Sequence, residues 1–295
     1  MARAISGVCK LCGKRAELTK EHIPSKGGYD ASSYRVQVLS GDEVFEGGRG
    51  DHYQCGFYAR ALCEDCNNRT GGWYGDEFAR WTKWGFKLLD VMRRKSNSIV
   101  RMYEGYPARI AKQVVSTMIA SSQDGFSDRV PHLREFVLNR DQTLEPDRMR
   151  LTMYLCPTQT GRSTGVTWAM RHGSEPHVLI EFALRPFGYV LTLCGEPLDP
   201  RPVSISWFGG CEYDERRTVD LPQIPVLPTH EVLPGDYRTK DEIRCDVIMN
   251  ILKEHGHPAP KTEASRIMAA GEGPAFFTRH GEDWTLDFTT GLSPK

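Results

Sequence analysis

The chain has 295 residues, 39% hydrophobic and 26% charged, an ordinary composition for a folded protein with a sizeable core. Its 38 basic and 38 acidic residues give a formal charge of zero. This excludes binding to nucleic acid by bulk charge and requires a local basic face for any such partner. No apolar run reaches the ~20 residues of a membrane span, so no membrane partner is expected.

In chain order, Cys9-Lys10-Leu11-Cys12 follows a short polar lead-in without targeting character, and Gly13 suits the tight turn after it. Ala16 to Ile23 reads as a strand, ended by Pro24. Tyr34 to Leu39 alternates as a strand does. Gly41-Asp42 then predicts a turn, Glu43 to Glu46 its return strand, and Gly47 to Gly50 a loop. His52 to Leu62 leads as a strand into Cys63-Glu64-Asp65-Cys66, with Asn67 and Asn68 directly after. A helix should begin there and break or kink at Gly71-Gly72. From Asp76 the helical spacing of Phe78, Trp81, Gly85, Leu88, Leu89 and Met92 predicts a longer helix. Trp73, Trp81 and Trp84 are expected to pack this region rather than to stack on bases.

Pro107 opens a second long helix with Ile110, Ala111, Val114, Val115 and Met118 on one face, and Pro131 opens a short third. After Asn139 the character changes. Leu151 to Cys156, Val166 to Met170, Val178 to Ala183, Tyr189 to Leu193 and Val203 to Trp207 are short β-rich runs separated by Gly and Pro. They predict an antiparallel sheet or small sandwich. Residues 220–236 are Pro-rich and expected to be irregular. Thr239-Lys240-Asp241-Glu242 is a capping box for a helix that Gly256 stops. A short helix over 262–270 and a strand from Trp284 to Phe288 close the chain.

Two CxxC pairs are the grammar of a tetrahedral zinc site, with Cys9, Cys12, Cys63 and Cys66 as ligands. Such a site is closed, so the ion is structural and chemistry must come from residues it holds in place. The other five cysteines, Cys55, Cys156, Cys194, Cys211 and Cys245, are scattered. That pattern predicts no disulfide framework and a reducing, cytoplasmic setting. Cys156 and Cys194 end apolar runs and are expected to be buried.

The order CxxC, Glu21-His22, then Leu-Cys-x-x-Cys-Asn resembles the HNH, or ββα-metal, nuclease family in its branch with a Cys₄ zinc. The resemblance covers about the first quarter of the chain. It implies that Glu21 and Asn67 hold one catalytic divalent ion, Mg²⁺ or Mn²⁺, and that His22 is the general base. It further implies DNA as partner and roles in prokaryotic defence or mobile elements. The residue types suit phosphodiester hydrolysis: a His titrating near neutrality and a sparse oxygen set for a hard cation. Two departures stand out. The family more often has Asp where Glu21 stands, and no Asn lies between Ile23 and Leu62. Lys20, Lys26 and Arg69 flank the motif as candidate DNA contacts.

The expected fold is α+β: a zinc-stabilised ββα-metal unit over 1–75, a helical connector over 76–139, and a mainly antiparallel β module with flanking helices over 140–295. That module carries no catalytic motif. Recognition of DNA structure, ligand sensing, homo-oligomer formation and a regulatory partner all stay open for it. The alternative to a nuclease is a non-catalytic, zinc-stabilised module that binds nucleic acid or protein.

Overall fold

A computed structural model describes residues 5–22, 34–36, 51–53, 58–93, 102–158, 161–169, 175–219, 224–229 and 234–238, positions 242, 245, 249 and 254, and the backbone of 276–280 and 283–287. The chain divides into two compact units, Met1–Tyr237 and Arg238–Lys295.

The first unit begins with a three-stranded antiparallel sheet of β1 (Ser6–Val8), β2 (Arg15–His22) and β5 (Tyr58–Cys63), with β2 central. A separate pair, β3 (Tyr34–Val36) and β4 (Asp51–Tyr53), is antiparallel. The predicted turn, return strand and glycine loop over 41–50 lie outside the described residues. Helix α1 (Glu64–Thr70) leaves β5 directly, with Glu64 and Asp65 in its first turn, where acidic residues suit the helix dipole. The break or kink predicted at Gly71-Gly72 takes the form of a π-helical turn, Gly71–Gly75, which joins α1 to α2 (Asp76–Arg93) without a loop. The glycines loosen the helix there but do not end it.

Helix α3 (Pro107–Ser121) lies at the centre of the unit. Every residue from Ile110 to Ala120 is buried, polar Lys112, Gln113, Ser116 and Thr117 included. It packs on α2, on α5 (Pro131–Leu138), on β5 and on β8 and β9 of a second sheet. Between α3 and α5 lies one short turn of helix, α4 (Phe126–Arg129). The second sheet is antiparallel, ordered β11 (Val203–Ser204), β7 (Arg150–Leu155), β10 (Phe187–Cys194), β9 (His177–Leu184) and β8 (Arg162–Ala169).

Both faces of this sheet are covered, which is why its central strands are almost continuously apolar. Leu151, Met153, Ile180, Phe182, Tyr189 and Leu191 join the helices in one core, and that core also contains Cys9, Leu11, Leu18, Leu62 and Cys66. Tyr154, Leu179 and Val190 face the other way, against Leu198, Leu227 and Tyr237. On that outer face fully buried Glu181 accepts from Tyr154 Oη (2.8 Å), Tyr237 Oη (3.1 Å) and Gly235 N (2.9 Å). Arg162 Nη2 lies 2.8 Å from the same carboxylate. The Pro-rich stretch is thereby tied to the sheet, and Val226 forms a bridge to Leu155.

Trp81 joins α2 to the sheet. It stacks on Phe187 (centroids 5.1 Å apart) and Trp84 (4.8 Å), and its Nε1 donates to Tyr189 Oη at 2.8 Å. The expected packing role holds for this residue. Two pairings were not foreseen: β6 (Tyr103–Gly105) with β12 (Arg217–Val219), and β13 (Phe276–His280) with β14 (Asp283–Asp287). Cys156 is buried as expected. Cys194 is exposed, because it lies at the end of β10 beyond an irregularity in the pairing with β9. In the second unit, Glu242, Cys245, Met249 and Glu254 are helical, at positions within the helix predicted from the capping box. The predicted 262–270 helix lies outside the described residues. Among the described residues no helix is long and apolar enough to cross a membrane.

Candidate metal centre

The first knuckle is closed by its own backbone. Cys9 N donates to Lys14 O at 2.9 Å and Gly13 N to Cys9 O at 2.8 Å. Gly13 has φ +74°, a conformation that costs a side-chain-bearing residue free energy. The knuckle docks through a bulge. The β2–β5 register slips between Thr19 and Lys20, leaving Ala61 out of the ladder, and the Ala61 carbonyl accepts from Lys10 N at 2.9 Å. Lys10 Nζ reaches Ser122 O at 2.5 Å and Asp124 at 3.7 Å, fixing the knuckle to the end of α3. The second knuckle is the junction of β5 and α1: Cys63 ends the strand and Cys66 lies in the first helical turn.

These two turns bring all four sulfurs within 4.8 Å of one another, with Cys12 Sγ and Cys63 Sγ 3.8 Å apart. A tetrahedral zinc with ~2.3 Å bonds has sulfur–sulfur edges of about 3.8 Å, so the cluster fits such an ion. Cys9 and Cys66 are buried, Cys12 and Cys63 half-buried. A hydrogen bond from the Cys66 thiol draws the Cys9 thiol down to about 4 and pushes Cys66 far up. The protein alone thus favours one thiolate beside a thiol, and a bound dication is what allows four thiolates together. The four cysteines are a cluster able to hold a metal such as zinc.

Of the other motif residues, Glu21 and His22 end β2 and Asn67 lies on α1, which follows the second knuckle. Strand alternation places Thr19 and Glu21 on one face of β2, and Asn67 of α1 covers that face: its Nδ2 donates to Thr19 Oγ1 (3.0 Å) and Lys20 O (3.4 Å). Glu21 is 6% exposed, and among the described residues it has no hydrogen-bond or ionic partner. Burial pushes its carboxyl up to about 7. His22, the last residue of β2, is half-buried and alternates to the opposite face. Lys20 and Arg69 are exposed, and Arg69 donates to Leu138 O at 3.0 Å with its guanidinium 4.7 Å from the Trp73 ring. Lys26 lies outside the described residues.

Sequence reasoning missed Thr19, although its place two residues before Glu21 on one strand face was there to be read. It also missed the role of Lys10, because nothing local links residue 10 to residue 122. No family model matches the chain, and neither a curated protein nor a solved structure matches it.

Proposed function

We propose that this protein is a metal-dependent, HNH-type endonuclease that hydrolyses DNA phosphodiester bonds. One observation carries the reading. Glu21, a buried carboxylate without a partner among the described residues, follows Thr19 and Lys20 on β2, and the Asn67 amide nitrogen is committed to those two residues. One carboxylate and one amide oxygen form the kind of sparse oxygen set that Mg²⁺ or Mn²⁺ accepts, with water and phosphate completing the shell. When bound, such an ion polarises the phosphate and offsets charge on the leaving oxygen.

The chain's residues do the rest. The Cys₄ cluster holds β5 and α1 against β2, so Glu21 Oε and Asn67 Oδ1 keep their spacing. A ring nitrogen of His22 takes a proton from the attacking water as its oxygen bonds to phosphorus. The P–O3′ bond breaks and the 3′ oxygen is protonated from solvent, leaving a 3′-hydroxyl and a 5′-phosphate. Lys20 and Arg69 supply exposed positive charge next to the site.

Supercoiled plasmid incubated with Mg²⁺, Mn²⁺ or EDTA tests the reading. Divalent-dependent nicking is expected, lost in His22→Ala at unchanged zinc content. Equal cutting by that variant removes His22 as base, and no cutting with either ion removes the nuclease assignment. The placement of Glu21 and His22 on opposite strand faces favours a second reading, a zinc-held binding module without turnover. On that reading a gel shift shows retained DNA while the plasmid stays intact.

A further inference from the structure

We infer that Thr19 is a positioning residue that sets which way the Asn67 amide faces and so presents Oδ1 to a divalent ion beside Glu21. The inference rests on the metal site of the preceding section. Thr19 Oγ1 donates to Leu62 O at 3.0 Å, which commits the hydroxyl's single proton. Toward Asn67 the same oxygen can therefore only accept, and it does so from Nδ2 at 3.0 Å. The second neighbour of Nδ2, Lys20 O at 3.4 Å, is also an acceptor. Rotating the amide by half a turn would set Oδ1 against two acceptors and lose both contacts, so the nitrogen stays inward and Oδ1 is turned away from them.

The geometry also links this orientation to the cysteine cluster. Leu62 and Asn67 flank the knuckle Cys63–Cys66, and Thr19 contacts both. One hydroxyl thereby ties the two sides of the knuckle to β2. Glu21 follows two residues later on the same face, one peptide unit beyond the Lys20 carbonyl that Asn67 touches. A β-branched residue suits the position, since a restricted χ1 keeps the hydroxyl aimed without help.

The test is Mn²⁺ binding to the zinc-loaded full chain, followed by electron paramagnetic resonance, for the unsubstituted protein, Thr19→Val and Thr19→Ser. One Mn²⁺ per chain is expected, bound about 10- to 100-fold more weakly by Thr19→Val and restored by Thr19→Ser, the usual range for a residue orienting a metal ligand. Zinc content and melting temperature are measured alongside. Equal Mn²⁺ affinity in all three overturns the role of Thr19 and leaves the metal site standing. Absence of Mn²⁺ binding in the unsubstituted protein overturns the metal site, and the inference with it. Should Thr19→Val fail to fold, the unsubstituted protein still decides by NMR. The Asn67 side-chain amide should give two dispersed, exchange-protected proton signals, and a pair at random-coil shifts overturns the lock.

Discussion

Glu21 shows most directly what a candidate site costs the folded chain. Its carboxyl is held at about 7, against 4.5 for an ordinary glutamate, and burial is the cause. Between those two values the folded state binds more protons than the unfolded one. Stability therefore falls as pH rises through the window, and the loss is complete above about 7. Glu21→Gln should remove this dependence. It should stabilise the zinc-loaded, Mg²⁺-free protein at pH 8 by on the order of 2–3 kcal/mol, with little change near pH 4.5. Urea denaturation at the two pH values checks it, and parallel pH profiles for variant and parent would remove the argument. The same titration gives Mn²⁺ affinity a direction. The proton competes with the ion below about 7, so affinity should rise with pH up to that point.

At the scale of elements, α3 shows how a polar side chain can join two helices. Lys112 is fully buried in the middle of an apolar helix, and its Nζ donates to Phe136 O, Asn139 O (3.0 Å) and Gln142 O (2.7 Å). These carbonyls lie at and just beyond the C-terminal end of α5, where a helix leaves acceptors unused and its dipole favours a cation. Lys112→Met keeps the four-atom stem of the side chain and removes the ammonium with all three of its hydrogen bonds. It should cost about 3 kcal/mol, most of it from carbonyls left buried and unsatisfied. Chemical denaturation measures that loss, and a variant within about 0.5 kcal/mol of the parent would mean that water replaces the ammonium. Nothing in the local sequence marked Lys112. A lysine in a helix reads as a solvent-facing residue until the partner helix is in place.

At the scale of the molecule, what was legible followed from local chemistry. The CxxC pairs, the 3.6-residue periodicity of α2 and α3, the Pro131 start of α5 and the β-rich runs of β7, β9 and β10 all lie where residue patterns placed them. Long-range pairing was not legible. Tyr103–Gly105 meets Arg217–Val219 across more than a hundred residues, and no periodicity in so short a strand announces its partner. The core was the larger omission. Residues 76–139, read as a connector between two bodies, supply its centre: α3 packs on β5 beside the cysteine cluster and on β8 and β9 of the large sheet.

A prediction about the isolated N-terminal segment follows from this shared core. Fully buried Leu11 and Leu62 belong to a hydrophobic cluster that runs through Val114, Met118 and Ile180, and Lys10 is tied to Ser122 and Asp124. Cut free at residue 75, the knuckles would keep their four thiols and lose the apolar surface that covers them. Burial of each such leucine contributes about 1.5–3 kcal/mol, so their exposure offsets a sizeable share of what zinc binding can stabilise. Residues 1–75 with zinc should therefore bind the ion more weakly than the full chain and give a poorly dispersed amide spectrum. In the full chain, a chelator strong enough to remove zinc should lower the melting temperature of the whole Met1–Tyr237 unit, because cluster and sheet share one core. A well-dispersed, tightly zinc-bound 1–75 fragment would instead make the cluster a self-sufficient body, and the packing of α3 against β5 incidental to it.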